Sequence, residues 1–417
     1  GFDGPAFDGQ QTTGRVVMEG AGDDRSLSAR GQGQLILLTA FAATAIPADD
    51  PAAPDMWRYA FELFIGWRHL CVLSANQQQT CQVVSEDSLV SREFSCRDDF
   101  LEAGASAHRR LPCFPHSKFD DSMELVRQSG SETAADLDAI LGMIVLAVNF
   151  EGSGMAWWKH WLGRWAYDSC KAFLHFNTES NADGSERIVR STSCGRGWGC
   201  SSPSTHSPAH FRVFRRYMRD YHDEFGGGVK RNKDKEEFSA MWDTLIKTSY
   251  RVLEASQCPT TGLMSNWFVP SVESGVSEQQ RGTERCSVQL YPDQFGNEAA
   301  AVAWRLFLDY VWFTGRPDWH DSSHHGRQPQ TILRRMASHM VKKLKNADDK
   351  LDVGCTAPGG NRIDSVRPGW IQKPAMTTHI LAALLVPPPA DAPAMAIDEQ
   401  QGVLDYLARI LVSSAAK

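Results

Sequence analysis

Residues 295–315 read FGNEAAAVAWRLFLDYVWFTG. Val302, Leu306, Tyr310 and Phe313 recur at helical spacing, and Phe307, Val311 and Trp312 widen the stripe, so the stretch predicts a helix buried on most sides. A polar turn containing glycine precedes it and ends in Asn297 and Glu298. A carboxylate at the start of a core helix lies where the helix dipole favours its charged form. Glu298 therefore has two readings: a functional carboxylate, or a charge that only satisfies free N–H groups at the helix start.

Outward from this stretch the chain remains helical. Toward the N-terminus, periodicity predicts helices over 238–257, 208–225, 156–175, 134–150, 56–71 and 31–46, the last ended by Pro47. Toward the C-terminus it predicts helices over 330–346, 376–385 and 400–413. In the 56–71 helix Trp57, Phe61, Phe64 and Trp67 fall on one side; in the 156–175 helix Trp158, Trp161 and Trp165 do, and such a stripe reads as core before it reads as a sugar platform. Residues 1–30 read as an extended lead-in with a short strand at 15–18, and 72–131 as irregular, stapled chain. The runs GGGVKRNKDK (226–235) and VPPPADAPA (386–394) read as solvated connections. No repeat of fixed period is present, which argues against a solenoid. Consecutive helix pairs joined by unequal loops suit an all-α barrel of helices, taken as a single domain over 31–417 behind the lead-in.

Composition sets the boundaries. With 417 residues, 42% of them hydrophobic, the chain can bury a large core. A net charge of −7 gives no general attraction to nucleic acid or to an anionic membrane, so neither is expected as a partner. The longest apolar run, 35–46, is too short to span a bilayer. The ten cysteines include no Cys-x-x-Cys pair, so a zinc site is not expected and disulfides are the better reading. Cys194 and Cys200 bracket the loop GRGWG, which a bridge would hold closed. Disulfides imply a secreted, extracellular setting; a start at Gly1 without Met fits a processed chain. No Asn-x-Ser/Thr sequon occurs, so N-glycosylation is not expected. The His-rich run at 320–325 reads as a solvated loop, and no metal or cofactor is expected.

Five stretches now bear jointly on family: GRVVMEGAGDDRSLSARGQGQLILLTAFA (14–42), ETAADLDAILGMIVLA (132–147), SSPSTHSPAHFRVF (201–214), TTGLMSNWF (260–268) and the 295–315 helix. In this order they resemble motifs of glycoside hydrolase family 8, which contains cellulases, xylanases, lichenases and chitosanases. The resemblance implies an (α/α)6 barrel, long loops walling a groove for a β-1,4-linked chain, and an inverting mechanism. Inversion needs two carboxyl groups roughly 6.5 to 9.5 Å apart, one as acid and one as base.

The resemblance is broken at the positions that matter. Where the family has its acid, in Ser-Glu-Gly-x-Gly-Tyr-Gly-Met, this chain has Ala29-Arg30-Gly31-Gln32-Gly33, and a guanidinium cannot donate a proton at ordinary pH. Glu19 lies upstream and is a poor replacement. The family's Thr-Asp-Ala-Asp-Leu appears as Thr133-Ala134-Ala135-Asp136-Leu137, its Pro-Ser-Tyr as Pro203-Ser204-Thr205 and its Pro-Asp-Trp as Ser265-Asn266-Trp267. The family's base is matched by Glu298. General-acid help is typically worth roughly 10² to 10⁴-fold, so its loss should leave little hydrolysis.

The leading expectation is therefore a catalytically degenerate relative that binds a β-linked polysaccharide or oligosaccharide, or builds an extracellular assembly with itself or other proteins. Trp198, Trp267, Asp136 and Asn297 are its candidate glycan contacts. Arg30 is expected to pair with Glu298 or Asp136, or to attract an acidic sugar. The alternatives are an active inverting endo-glycanase with Glu298 as base, and a purely structural self-assembling subunit.

Overall fold

A computed structural model describes residues 2–7, 10–19, 26–76, 80–85, 88–93, 114–115, 117–120, 130–150, 156–192, 197–226, 232–271, 275–276, 295–314, 328–344, 355–356, 362–363, 374–387 and 394–415. Among them the helices are α1 (Ala29–Ala45), α2 (Ala53–Asn76), α3 (Thr133–Asn149), α4 (Ala156–Phe176), α5 (Pro208–Asp220), α6 (His222–Phe225), α7 (Asn232–Ser256), α8 (Asn297–Phe313), α9 (Gln328–Leu344), α10 (Pro374–Leu384) and α11 (Ala394–Ala415). The strands are short, and all but one set form two-stranded ribbons. The chain forms two compact units: Gly1–Thr178 with Arg190–Gly195 and Val213–Met241, and Glu179–Val189 with Arg196–Arg212 and Trp242–Lys417.

In the first unit α1 packs on α2 and α3, and α3 on α4. Glycine sets the α1–α3 distance. A Cβ at Gly33 would lie 2.4 Å from the carbonyl oxygen of Ala135, and one at Gly142 would lie 2.7 Å from Ile36 Cγ2, so any larger residue forces the helices apart. The aromatic stripes meet as core: Phe61, Phe64 and Trp67 are fully buried, and Trp158 and Trp161 pack their rings on Phe61 and Phe64 at 4.7 and 5.1 Å. Ser28 caps α1 by accepting from Gly31 N–H at 3.2 Å.

The lead-in is more structured than expected. Phe2–Phe7 and Gln10–Gly14 form an antiparallel ribbon, and Met18–Glu19, Ser26–Ser28 and Lys118–Phe119 form a three-stranded sheet. The strand expected at 15–18 is absent over 15–17. A side chain takes its place as hydrogen-bond partner: fully buried Gln32 accepts from Val17 N–H at 2.8 Å and donates to the carbonyls of Arg15 and Leu63 at 2.9 and 2.7 Å. The region read as irregular from 72 begins instead with the last turn of α2 and a hairpin pairing Thr80–Ser85 with Ser88–Glu93. The charged run 226–235 is in part helix, since α7 starts at Asn232.

In the second unit α8 packs on α9 and α10, and α11 on α9 and α10. Its buried face is Ala299–Ala303, Arg305, Leu306, Asp309 and Phe313. Of the predicted stripe, Val302, Leu306 and Phe313 are buried, whereas Tyr310 and the flanking Phe307 and Trp312 are half-buried and Val311 is 52% exposed. Two charges share this face. Arg212 Nε donates to Asp309 at 3.1 Å, Tyr250 donates its hydroxyl to the same carboxylate, and Arg305 lies 5.0 Å from the Trp304 ring centre and 3.4 Å from His210 Nε2. A buried carboxylate held by a guanidinium and a phenol is fully satisfied, so it is tolerated on the buried face.

Candidate functional site

In the first unit Arg30, which the resemblance led one to expect at the general-acid position, lies in the first turn of α1 and is half-buried. Its guanidinium pairs with Glu132 at 3.4 Å, in the residue that precedes α3. The expected pairing with Asp136 is not made. Asp136 is fully buried and its Oδ2 accepts from Ser131 Oγ and Asn177 Nδ2, both at 2.7 Å. Burial pushes its carboxyl well above the ordinary carboxylate range, against the opposing effect of these two donors. Ala134 is buried. The segment around them is tied by backbone bonds: Thr133 N–H donates to the Ser191 carbonyl at 3.3 Å and Arg190 N–H to that of Asn177 at 2.8 Å.

In the second unit Glu298 stands in the first turn of α8, half-buried, as its position in the sequence predicts. Ser204 donates its hydroxyl to Glu298 Oε2, and Ser204 Oγ lies 2.9 Å from Ser202 Oγ. Pro203–Thr205 is a buried single turn, capped by the Ser202 hydroxyl. The Pro203-Ser204-Thr205 turn thus aims a serine hydroxyl at the carboxylate. Asn297 is exposed beside it.

Asn266 has a role that its reading as a lost acid did not reveal. Its side-chain oxygen accepts from the N–H groups of Gly296 at 3.0 Å and Ala299 at 3.1 Å, so it caps α8 from a distant segment. Gly296 has no side chain with which to do so. An amide oxygen serves this purpose as a carboxylate oxygen would. Trp267, the next residue, is half-buried.

Trp198 is half-buried and packs on Ile188, Val252 and Phe268. Gly197 N–H in the same loop donates to Glu179 at 2.9 Å. Close by in sequence, fully buried His206 bridges Ser201 Oγ at 2.9 Å and Ser249 Oγ at 3.0 Å, and burial lowers its pKa to about 3. The imidazole is neutral, so it ties loop to helix without charge. Neither this histidine bridge nor the Arg305–His210 contact was legible from spacing.

The cysteines divide. Cys71 and Cys170 are buried free thiols, and burial raises the pKa of each. Cys200 and Cys258 are in the disulfide-bonded form. The side chains of the other cysteines, and the His-rich run 320–325, lie outside the described residues. Among the described residues no cluster of His, Cys, Asp and Glu is arranged to hold a metal ion, and no helix is long and apolar enough to cross a membrane.

No family model and no curated protein matches the chain by sequence. Solved structures do match its fold. The apo structure of a β-1,3-1,4-glucanase from Paenibacillus sp. X4 superposes with a TM-score of 0.56 at 13% identity, covering 92% of this chain and 76% of that one. A mutant of Rex8A from Paenibacillus barcinonensis, complexed with 3(3)-α-L-arabinofuranosyl-xylotetraose, gives 0.51 at 14% identity, covering 97% and 86%. A reducing-end xylose-releasing exo-oligoxylanase gives 0.50 at 13% identity, covering 97% and 87%. These neighbours are glycoside hydrolase family 8 enzymes. At such identity the likeness establishes a shared, mostly helical fold.

Proposed function

We propose that this protein is a catalytically degenerate relative of the family 8 glycosidases, an (α/α)6 barrel with a loop-walled groove that binds a β-linked glycan in an extracellular setting. The observation that carries this reading is the ion pair of Arg30 with Glu132. The position that the resemblance assigns to the general acid holds a permanent cation already engaged by a carboxylate, and neither arginine nor an ion-paired glutamate is a proton donor near neutral pH. The groove contacts are assigned to Trp198 and Trp267, whose indole faces suit the apolar faces of sugar rings, and to Asn297 and Glu298 for hydroxyl recognition. Xylose and a substituted xylotetraose bound by the fold neighbours make a xylan-type chain the first ligand to try. The disulfide-bonded state of Cys200 and Cys258 supports secretion and stapled loops.

One observation favours a second reading. Ser204 fixes Glu298 by one oxygen, as a general base would need, and an acid from elsewhere would make the chain an inverting endo-glycanase. The test incubates the purified chain with soluble β-1,4-glucan, xylan and chitosan and follows reducing ends, beside an Arg30→Glu variant and affinity electrophoresis in the same polysaccharides. Retarded migration without product release is the expected result. Release by the parent chain that Glu298→Ala abolishes would overturn the degenerate reading. Neither release nor retardation would leave a structural, self-associating subunit, which light scattering detects.

A further inference from the structure

The hydrogen bonds around Asp136 are lopsided. Both donors, Ser131 Oγ and Asn177 Nδ2, converge on Oδ2 at 2.7 Å, while Oδ1 is buried and has no hydrogen-bond partner among the described residues. The amide beside it has the matching defect. Asn177 Nδ2 uses its hydrogens on Asp136 Oδ2 and on Thr133 Oγ1 at 3.1 Å, and Asn177 Oδ1 is buried without a donor among the described residues. Two bare acceptors on two side chains that already share one hydrogen bond lack a single hydrogen between them. An acid and an amide joined edge to edge supply it: the amide N–H donates to the acid's carbonyl oxygen and the acid's O–H to the amide oxygen.

We infer that Asp136 is carried as a neutral carboxylic acid that donates Oδ1–H to Asn177 Oδ1, a buried acid–amide pair that locks the start of α3 to the end of α4. The alternative, an ionised carboxylate, would leave one oxygen of a fully buried anion unsolvated. The field of the α3 N-terminus favours the anion, but it is the weaker influence at a site with no exposure. Neighbouring charges do not rescue the anion. Glu132 adds repulsion and is itself paired with Arg30; on α2 the Cys71 thiol faces Asp136, with Arg68 beyond it; Asp138 follows on α3 and is also buried. The pair has a consequence for the binding site. Ser131, Thr133 and the 190–192 segment hang on it, and Glu132, which holds Arg30, lies between the first two.

The test compares the parent with Asp136→Asn, whose amide supplies the same donor and acceptor without titrating. Isotope-edited infrared spectra of the chain carrying carboxyl-labelled aspartate should show at pH 7 a protonated-acid band that Asp136→Asn removes. In urea titrations at pH 5, 6 and 7 the ratio of parent to variant unfolding constants should rise about tenfold per pH unit, because the folded parent holds a proton that the unfolded chain releases above about pH 4. Absence of the band, or a flat ratio, overturns the inference and leaves an ionised Asp136 bridged by a buried water. If Asp136→Asn fails to fold, the band of the parent decides against Asn177→Ser, which must shift its frequency; an unshifted band refutes the pairing. The outcome is independent of whether the groove binds glycan.

Discussion

Replacing Asn266 by alanine should weaken the second unit by about 2–4 kcal/mol. The side-chain oxygen of Asn266 is the acceptor for two N–H groups, those of Gly296 and Ala299, at 3.0 and 3.1 Å. Gly296 and Ala299 are buried, as Asn266 is at 4% exposure, so water does not readily replace the lost acceptor. A lost helix cap costs about 0.5–2 kcal/mol and each buried donor left unmatched about 1–3 kcal/mol; the two descriptions overlap, which gives the range stated. Urea unfolding at constant m-value measures the change. Asn266→Asp keeps an acceptor at the positive end of α8 and should recover most of the loss. The first turn of α8 also carries Glu298, so glycan retardation should weaken in Asn266→Ala more than in Asn266→Asp. A change in stability below about 0.5 kcal/mol, the size of an ordinary surface substitution, would refute the claim that Asn266 closes the start of α8.

Gly33→Ala should destabilise the first unit by about 1–3 kcal/mol in the same assay, since its Cβ would meet backbone rather than a side chain that could turn away; equal stability would show that α1 and α3 can separate freely. His206 predicts a pH dependence of known sign. Its folded pKa is lowered to about 3, so the folded state binds fewer protons than the unfolded one between that value and the ordinary histidine pKa. Its contribution is therefore complete above about pH 6.5 and falls by about 1.4 kcal/mol per pH unit below it. The slope of parent relative to His206→Gln over pH 4–6 checks this, and a slope of zero would mean that the imidazole is reached by solvent. The Asp136 effect runs in the opposite direction, so each must be read against its own variant.

The sequence by itself determined where the helices lie, because an apolar stripe of helical period must be buried whatever it packs against. α1, α3, α4, α8 and α9 begin and end within two or three residues of the ranges their periodicity predicts. It also showed which residues stand in the stretches that resemble the family 8 motifs, Arg30 and Glu298 among them, since residue identity is a property of the chain alone. Tertiary structure decided the partners. Arg30 goes to Glu132 and not to Asp136, Gln32 replaces a strand partner at Arg15 and Val17, and Asn266 reaches across to cap α8. The buried face of α8 carries Arg305 and Asp309 beside Val302, Leu306 and Phe313. Periodicity ranks residues by their own hydropathy, whereas burial of a polar group depends on whether a complementary group arrives from elsewhere in the chain, and that is fixed only when the helices have packed.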